Sequence, residues 1–122
     1  MISLGLQILA DFYECDSKIL DDKDFIEKSM LEAAKRCGAT IISYNFHKFS
    51  PQGVSGIIVI AESHLAIHTW PEHKFAAIDL FTCGQSLKPD LGFNYLIEAL
   101  RSRHQTINSI NRGYQANLLK KD

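Results

Sequence analysis

The chain's hydrophobic positions follow two periods, and the switches between them predict its elements. Leu4–Tyr13 is dense in apolar residues and gives way to the polar Glu14-Cys15-Asp16, which predicts a strand. Asp22–Cys37 predicts a helix. Asp22 or Asp24 caps it, Ile26, Met30, Ala33, Ala34 and Cys37 recur on one face, and Gly38 supplies a left-handed stop. Thr40–Phe49 carries β-branched and aromatic residues and reads as a strand, Ser50-Pro51-Gln52-Gly53 as a turn, and Val54–Ala61 as the next strand. Leu65–Trp70 reads as extended until Pro71, and Phe75–Phe81 as a further strand. Pro89–Arg103 predicts a second helix, with proline near its start and Leu91, Tyr95, Leu96, Ala99 and Leu100 recurring along it. Thr106–Ile110 predicts a last strand.

The order β-α-β-β-β-β-α-β, without repeat, linker or low-complexity segment, predicts an α+β fold. Its form is a two-layer sandwich, one mostly antiparallel sheet with both helices on one face. Ile57-Ile58-Val59-Ile60 are apolar at consecutive positions, whereas a half-solvated strand alternates. Both sheet faces are therefore expected to be buried, the second by another copy of the chain in a four-layer αββα homodimer.

Composition narrows the function classes. The 122 residues fit one domain. A net charge of −1, with no basic patch or acidic tail, favours neither nucleic acid nor a membrane surface. No apolar run approaches the roughly 20 residues that span a bilayer, and the opening Met1-Ile2-Ser3-Leu4-Gly5 lacks the pattern of a signal peptide. Three cysteines, with no C-x-x-C pair, indicate neither a disulfide framework nor a zinc knuckle, and a cytoplasmic location is expected.

The chemistry concentrates in Glu62–Glu72, which holds a hydroxyl, two imidazoles, two carboxylates and an indole. His64 and His68 are four apart. Pro71, Ile67 and Thr69 argue for a strand there, on which the two histidines sit about 13 Å apart, too far to share a metal ion. No G-x-S-x-G elbow surrounds Ser63, which disfavours a serine hydrolase. The strings Phe46-His47-Lys48-Phe49, Gly53-Val54-Ser55-Gly56, Glu62-Ser63-His64-Leu65, Ile67-His68-Thr69-Trp70-Pro71-Glu72 and Ala77-Ile78-Asp79-Leu80-Phe81-Thr82-Cys83-Gly84 together carry a resemblance. In this order they resemble the short prokaryotic S-adenosylmethionine decarboxylases, as do Ser3-Leu4-Gly5 and Phe12-Tyr13-Glu14-Cys15-Asp16. The likeness runs over roughly residues 3–100, and after about Arg103 the chain departs from the pattern.

The resemblance implies a proenzyme that cleaves itself between Glu62 and Ser63 into chains 1–62 and 63–122. Ser63 Oγ attacks the Glu62 carbonyl and turns the amide into an ester. His68 serves as base for the β-elimination that follows, and Ser55 hydrogen-bonds the oxyanion. Ser63 becomes a pyruvoyl cofactor, which takes the substrate amine as a Schiff base and acts as electron sink for decarboxylation. Cys83 matches the family's proton donor; taken alone, it reads more simply as a buried apolar residue. Glu72 would bind the ribose hydroxyls of S-adenosylmethionine. Phe49 and Trp70 would line the adenine site, with core packing as their alternative, and Leu65 is included among the substrate-binding residues. His47 and His73 are expected to be solvated and His64 to be structural. Two other functions remain open: arginine or ornithine decarboxylation with the same cofactor, and a non-catalytic regulatory paralogue.

Overall fold

The structure, a computed structural model, describes residues 3–83 and 86–114. In chain order the elements are β1 (Ser3–Tyr13), a one-turn helix α1 (Ser17–Leu20), α2 (Lys23–Arg36), β2 (Ile41–Lys48), β3 (Val54–Ile60) and β4 (Ser63–Trp70). A 3-10 turn (Pro71–His73) leads into β5 (Phe75–Thr82), α3 (Pro89–Ala99) and β6 (His104–Tyr114). The six strands form one sheet in the order β2-β3-β4-β5-β1-β6, and every described pairing is antiparallel. The expected two-layer α+β sandwich is therefore present; its αββα pairing lies beyond a single chain.

Local chemistry sets the helix ends. The Asp22 carboxylate accepts from the Phe25 N–H and caps α2. At the other end Gly38, at φ 87°, donates to the Lys35 carbonyl while Ala39 donates to that of Ala34, which is a Schellman closure. The second helix is shorter than its apolar pattern predicts. Its last core anchor, Leu100, is already the C-cap, and Arg101 turns left-handed at φ 57°. In α1, absent from the sequence reading, Asp16 caps two backbone N–H groups.

Period-two alternation divides the sheet. Ile8, Ala10, Phe12, Ile58, Ile60, Leu65, Ile67, Ile78 and Leu80 are buried under α2 and α3, which add Ile26, Met30, Phe93 and Leu96. Each of the larger side chains among them contributes about 1.5–3 kcal/mol on burial. Gly92 lets the helices approach: a Cβ there would lie 2.3 Å from Cys37 Sγ and 2.9 Å from the Ala33 carbonyl oxygen. The opposite face has no covering layer within the described chain. In β3, Ile58 is 0% exposed whereas its neighbour Ile57 is 41% exposed, and Leu9, Val59, Trp70 and Ile110 share the open side. The consecutive apolar run is thus a strand with two apolar faces, one of them exposed in the single chain.

The three thiols differ in the same way. Cys15 and Cys37 are buried and Cys83 is exposed. Burial pushes the Cys15 thiol up to about 11, and burial raises Cys37 as well. With its pKa raised on folding, Cys15 favours the folded state below the ordinary thiol range, an advantage lost as pH rises toward 11. Brief iodoacetamide treatment of the native protein at pH 8 should therefore label Cys83 and spare Cys15 and Cys37. Peptide mass spectrometry reads this directly, and equal labelling of all three would contradict the burial described.

Candidate active site

The first cluster lies on the open face of the neighbouring strands β3 and β4. Ser55 and His68 are cross-strand partners, and Ser55 Oγ lies 2.9 Å from His68 Nδ1. Trp70, two residues along β4, lies on the same face, its ring 6.4 Å from that of His68. Trp70 pairs with Phe75 across the β4–β5 hairpin at 5.4 Å, and Phe75 meets Tyr13 of β1 at 5.2 Å. An aromatic row thus crosses three strands. Glu72 is exposed on the 3-10 turn that follows Trp70. Phe49, just after β2, rests edge-on against His47 at 4.5 Å. Phe49 is 47% and Trp70 40% exposed, which rules out core packing for both.

The second cluster sits at the opposite end of β4. Ile60 pairs with Ser63, so Ala61 and Glu62 form a two-residue hairpin turn. Glu62 takes the left-handed conformation at φ 64°, which costs a residue with a Cβ about 1–2 kcal/mol. The Ala61 N–H donates to the Thr40 carbonyl and ties the turn to the start of β2. Ser63 pairs with Thr82, and Cys83 follows immediately, exposed. A cavity of about 220 Å³ lined by Thr40, Glu62, Thr82 and Leu87 opens here, and one of about 270 Å³ lies against Cys83, Leu6 and Pro89. A small carbonyl group at position 63 would fit this end, with space beside it and a thiol nearby.

The structure pairs Ser55 with His68 and sets Glu62–Ser63 and Cys83 at one end of the sheet, but it keeps the two groups apart. His68 is five residues from Ser63 along a regular strand, about 16 Å, and an odd spacing puts them on opposite faces. Leu65, expected at the substrate, is a core residue. It is 3% exposed and faces Ala33, Phe93 and Leu96 of the helix layer, so its side chain is withdrawn from the site. His64 stacks on Phe81 at 5.9 Å on the open face, and His47 and His73 are exposed. Sequence reasoning passed over Phe75 and Tyr13. The available signal was the Trp70-Pro71…Phe75 hairpin, which sets residues 70 and 75 opposite each other.

Comparison with known proteins identifies the family. Residues 6–113 match the family described as S-adenosylmethionine decarboxylase. The S-adenosylmethionine decarboxylase proenzyme of Acidithiobacillus ferrooxidans is 53% identical over 113 residues, covering 93% of this chain and 85% of that protein. Its counterpart in Acetivibrio thermocellus is 52% identical, covering 93% and 91%. The crystal structure of the adenosylmethionine decarboxylase from Aquifex aeolicus superposes with a TM-score of 0.85 at 35% identity, covering 94% of this chain and 95% of that one. A Trypanosoma brucei AdoMetDC monomer shares the fold, with a TM-score of 0.64 at 16% identity over 84% of this chain and 44% of the other. The chain belongs to the S-adenosylmethionine decarboxylase family.

Proposed function

We propose that this chain is a self-processing, pyruvoyl-dependent decarboxylase that converts S-adenosylmethionine to its decarboxylated form, the aminopropyl donor for spermidine. The observation that carries the reading is the Glu62–Ser63 turn. A non-glycine residue is held left-handed at the bond to be cut, with Ser63 next in the chain and Cys83 one residue past its cross-strand partner Thr82. The relatives named proenzymes support it.

In this reading Ser63 Oγ adds to the Glu62 carbonyl carbon, and the C–N bond breaks to leave an ester and a free amine. Strain at Glu62 favours departure from the amide. Ser55 steadies the oxyanion. His68 then removes the Ser63 Cα proton, the Glu62 carboxylate leaves as the end of the first chain, and water releases ammonia from the dehydroalanine to give the pyruvoyl group. That group supplies an electron sink for loss of carbon dioxide. Cys83 delivers a proton to the carbon left behind. Glu72 accepts the ribose hydroxyls, and Trp70 and Phe49 hold the adenine. Aromatic faces suit the flat purine and the sulfonium of S-adenosylmethionine.

The two clusters stand too far apart for one chain to complete this site. Ser63 and Trp70 are seven residues apart on β4, about 23 Å, a span longer than the substrate. A second copy resolves this. Covering the open apolar face with the same face of another chain requires a two-fold axis in the interface. If that axis crosses the strands, the Ser63 end of each β4 lies over the His68–Trp70 end of the other. Each site then sets the Glu62–Ser63 turn and Cys83 of one chain, at the rim of the sheet, against Ser55, His68, Trp70, Glu72 and Phe49 of its partner.

Mass spectrometry of the purified protein should show two fragments split before residue 63 and carbon dioxide release from S-adenosylmethionine, not from arginine or ornithine. Ser63→Ala should stay whole. A parent chain that remains intact with an ordinary serine would end the proposal. Co-expressing Ser63→Ala with His68→Ala, each uncut alone, should restore cleavage of the His68→Ala chain, because one of the two shared sites is then intact. Absence of any cut product in a verified mixed dimer would place both clusters' work within one chain. Cys83→Ala should still cleave, since no step of the cut uses a thiol, while turnover falls by about 10²–10⁴-fold. Turnover at the parent rate would mean that the proton comes from another group.

A further inference from the structure

Ser55 and His68 form the last rung of the β3–β4 ladder, and ladder ends are where sheets open first. At the next position the backbone pairing gives way to a side chain. The Val54 N–H donates to Thr69 Oγ1 at 2.9 Å, and that hydroxyl donates in turn to the Leu20 carbonyl at 2.8 Å. Thr69 is buried on the core face, directly beneath the pair. One residue further out, the Gly53 N–H donates to Asp21 Oδ1 at 2.8 Å. Lys48 Nζ lies 3.2 Å from the same oxygen, and the Phe49 N–H donates to the Gly53 carbonyl at 2.8 Å. The end of α1, Leu20-Asp21, therefore anchors both strands of the rung and the loop that carries Phe49.

We infer that Thr69 and Asp21 are positioning residues that clamp the Ser55–His68 pair to the end of α1, and that Asp21 also sets the Phe49 loop. This inference rests on the reading of Ser55 and His68 as processing groups. Position 69 gains nothing in packing from a hydroxyl, since valine has the same shape, and a buried hydroxyl is unfavourable unless bonded. Thr69 uses both its proton and its lone pair. Without it the Val54 N–H and the Leu20 carbonyl lose their partner and the rung loosens. A displacement of about 1 Å between groups that must act together costs on the order of 10²-fold in rate.

The test uses the full chain. Thr69→Val should slow self-cleavage about 10- to 100-fold, and Thr69→Ser, which keeps the hydroxyl, should stay within about 3-fold of the parent. Ile26→Val in the helix layer controls for lost stability and should leave the rate alone. In the uncut Ser63→Ala background, Thr69→Val should lower hydrogen-exchange protection of the Val54 and His68 amides about 10-fold or more, with amides of α2 unchanged. Adding Ser55→Ala should remove most of the rate difference between threonine and valine at position 69. The clamp is overturned if Thr69→Val cleaves at the parent rate, if Ile26→Val slows cleavage equally, or if serine fails to rescue. If the parent chain does not cleave at all, the proposed function fails, and the exchange measurement alone decides the clamp: unchanged protection at Val54 and His68 overturns it.

Discussion

The molecule depends on the alternation of β4. Leu65, Ile67 and Thr69 point into the helix layer, and His64, His68 and Trp70 point to the open face. The first set contributes to a core worth several times the net stability of a domain this size, so the strand cannot slip by one residue without burying two imidazoles and exposing that core. The same lock that stabilises the sandwich therefore presents the reactive side chains. It also fixes Ser63 at one end of the strand and Trp70 at the other.

Part of this was legible in the sequence because it is written in local chemistry. Asp22, Gly38 and the Ile26/Met30/Ala33 stripe determine α2 almost to the residue. The consecutive apolar run in β3 announced a second apolar face. The misses have physical causes. Only Ile19 and Leu20 mark α1, too few to show a period, and its signal is the Asp16 cap. The last strand is longer than Thr106–Ile110 because β6 is an edge strand beyond the reach of the helices, so polar residues such as Asn108 and Ser109 occupy it freely.

Leu65 and the separation of Ser63 from His68 teach the sharper lesson. Eleven consecutive residues rich in functional groups invite the assumption that they meet in space. On a strand they do the opposite: each step adds about 3.3 Å and reverses the face. Leu65 fell to the core because its parity is that of Ile67, whereas His68 has the parity of Trp70 and so of the open face. The partner of His68 came instead from Ser55, thirteen residues away but directly across the ladder.

The strand order also bears on what a cut after Glu62 would do. Residues before the cut contribute β1, β2 and β3; those after it contribute β4, β5 and β6. In the sheet β2-β3-β4-β5-β1-β6, β1 lies between β5 and β6, while β3 and β4 remain paired across the former turn. The two pieces are interleaved, and parting them would break three antiparallel ladders together with the packing of α2 on α3. Cleavage at that turn removes one strained connection and none of these ladders. The new chain start at residue 63 then loses its tether to Glu62 while β4 keeps its place between β3 and β5. With such a cut, topology would separate two requirements that one bond could not meet, freedom for the end at residue 63 and fixity for the strand that carries it.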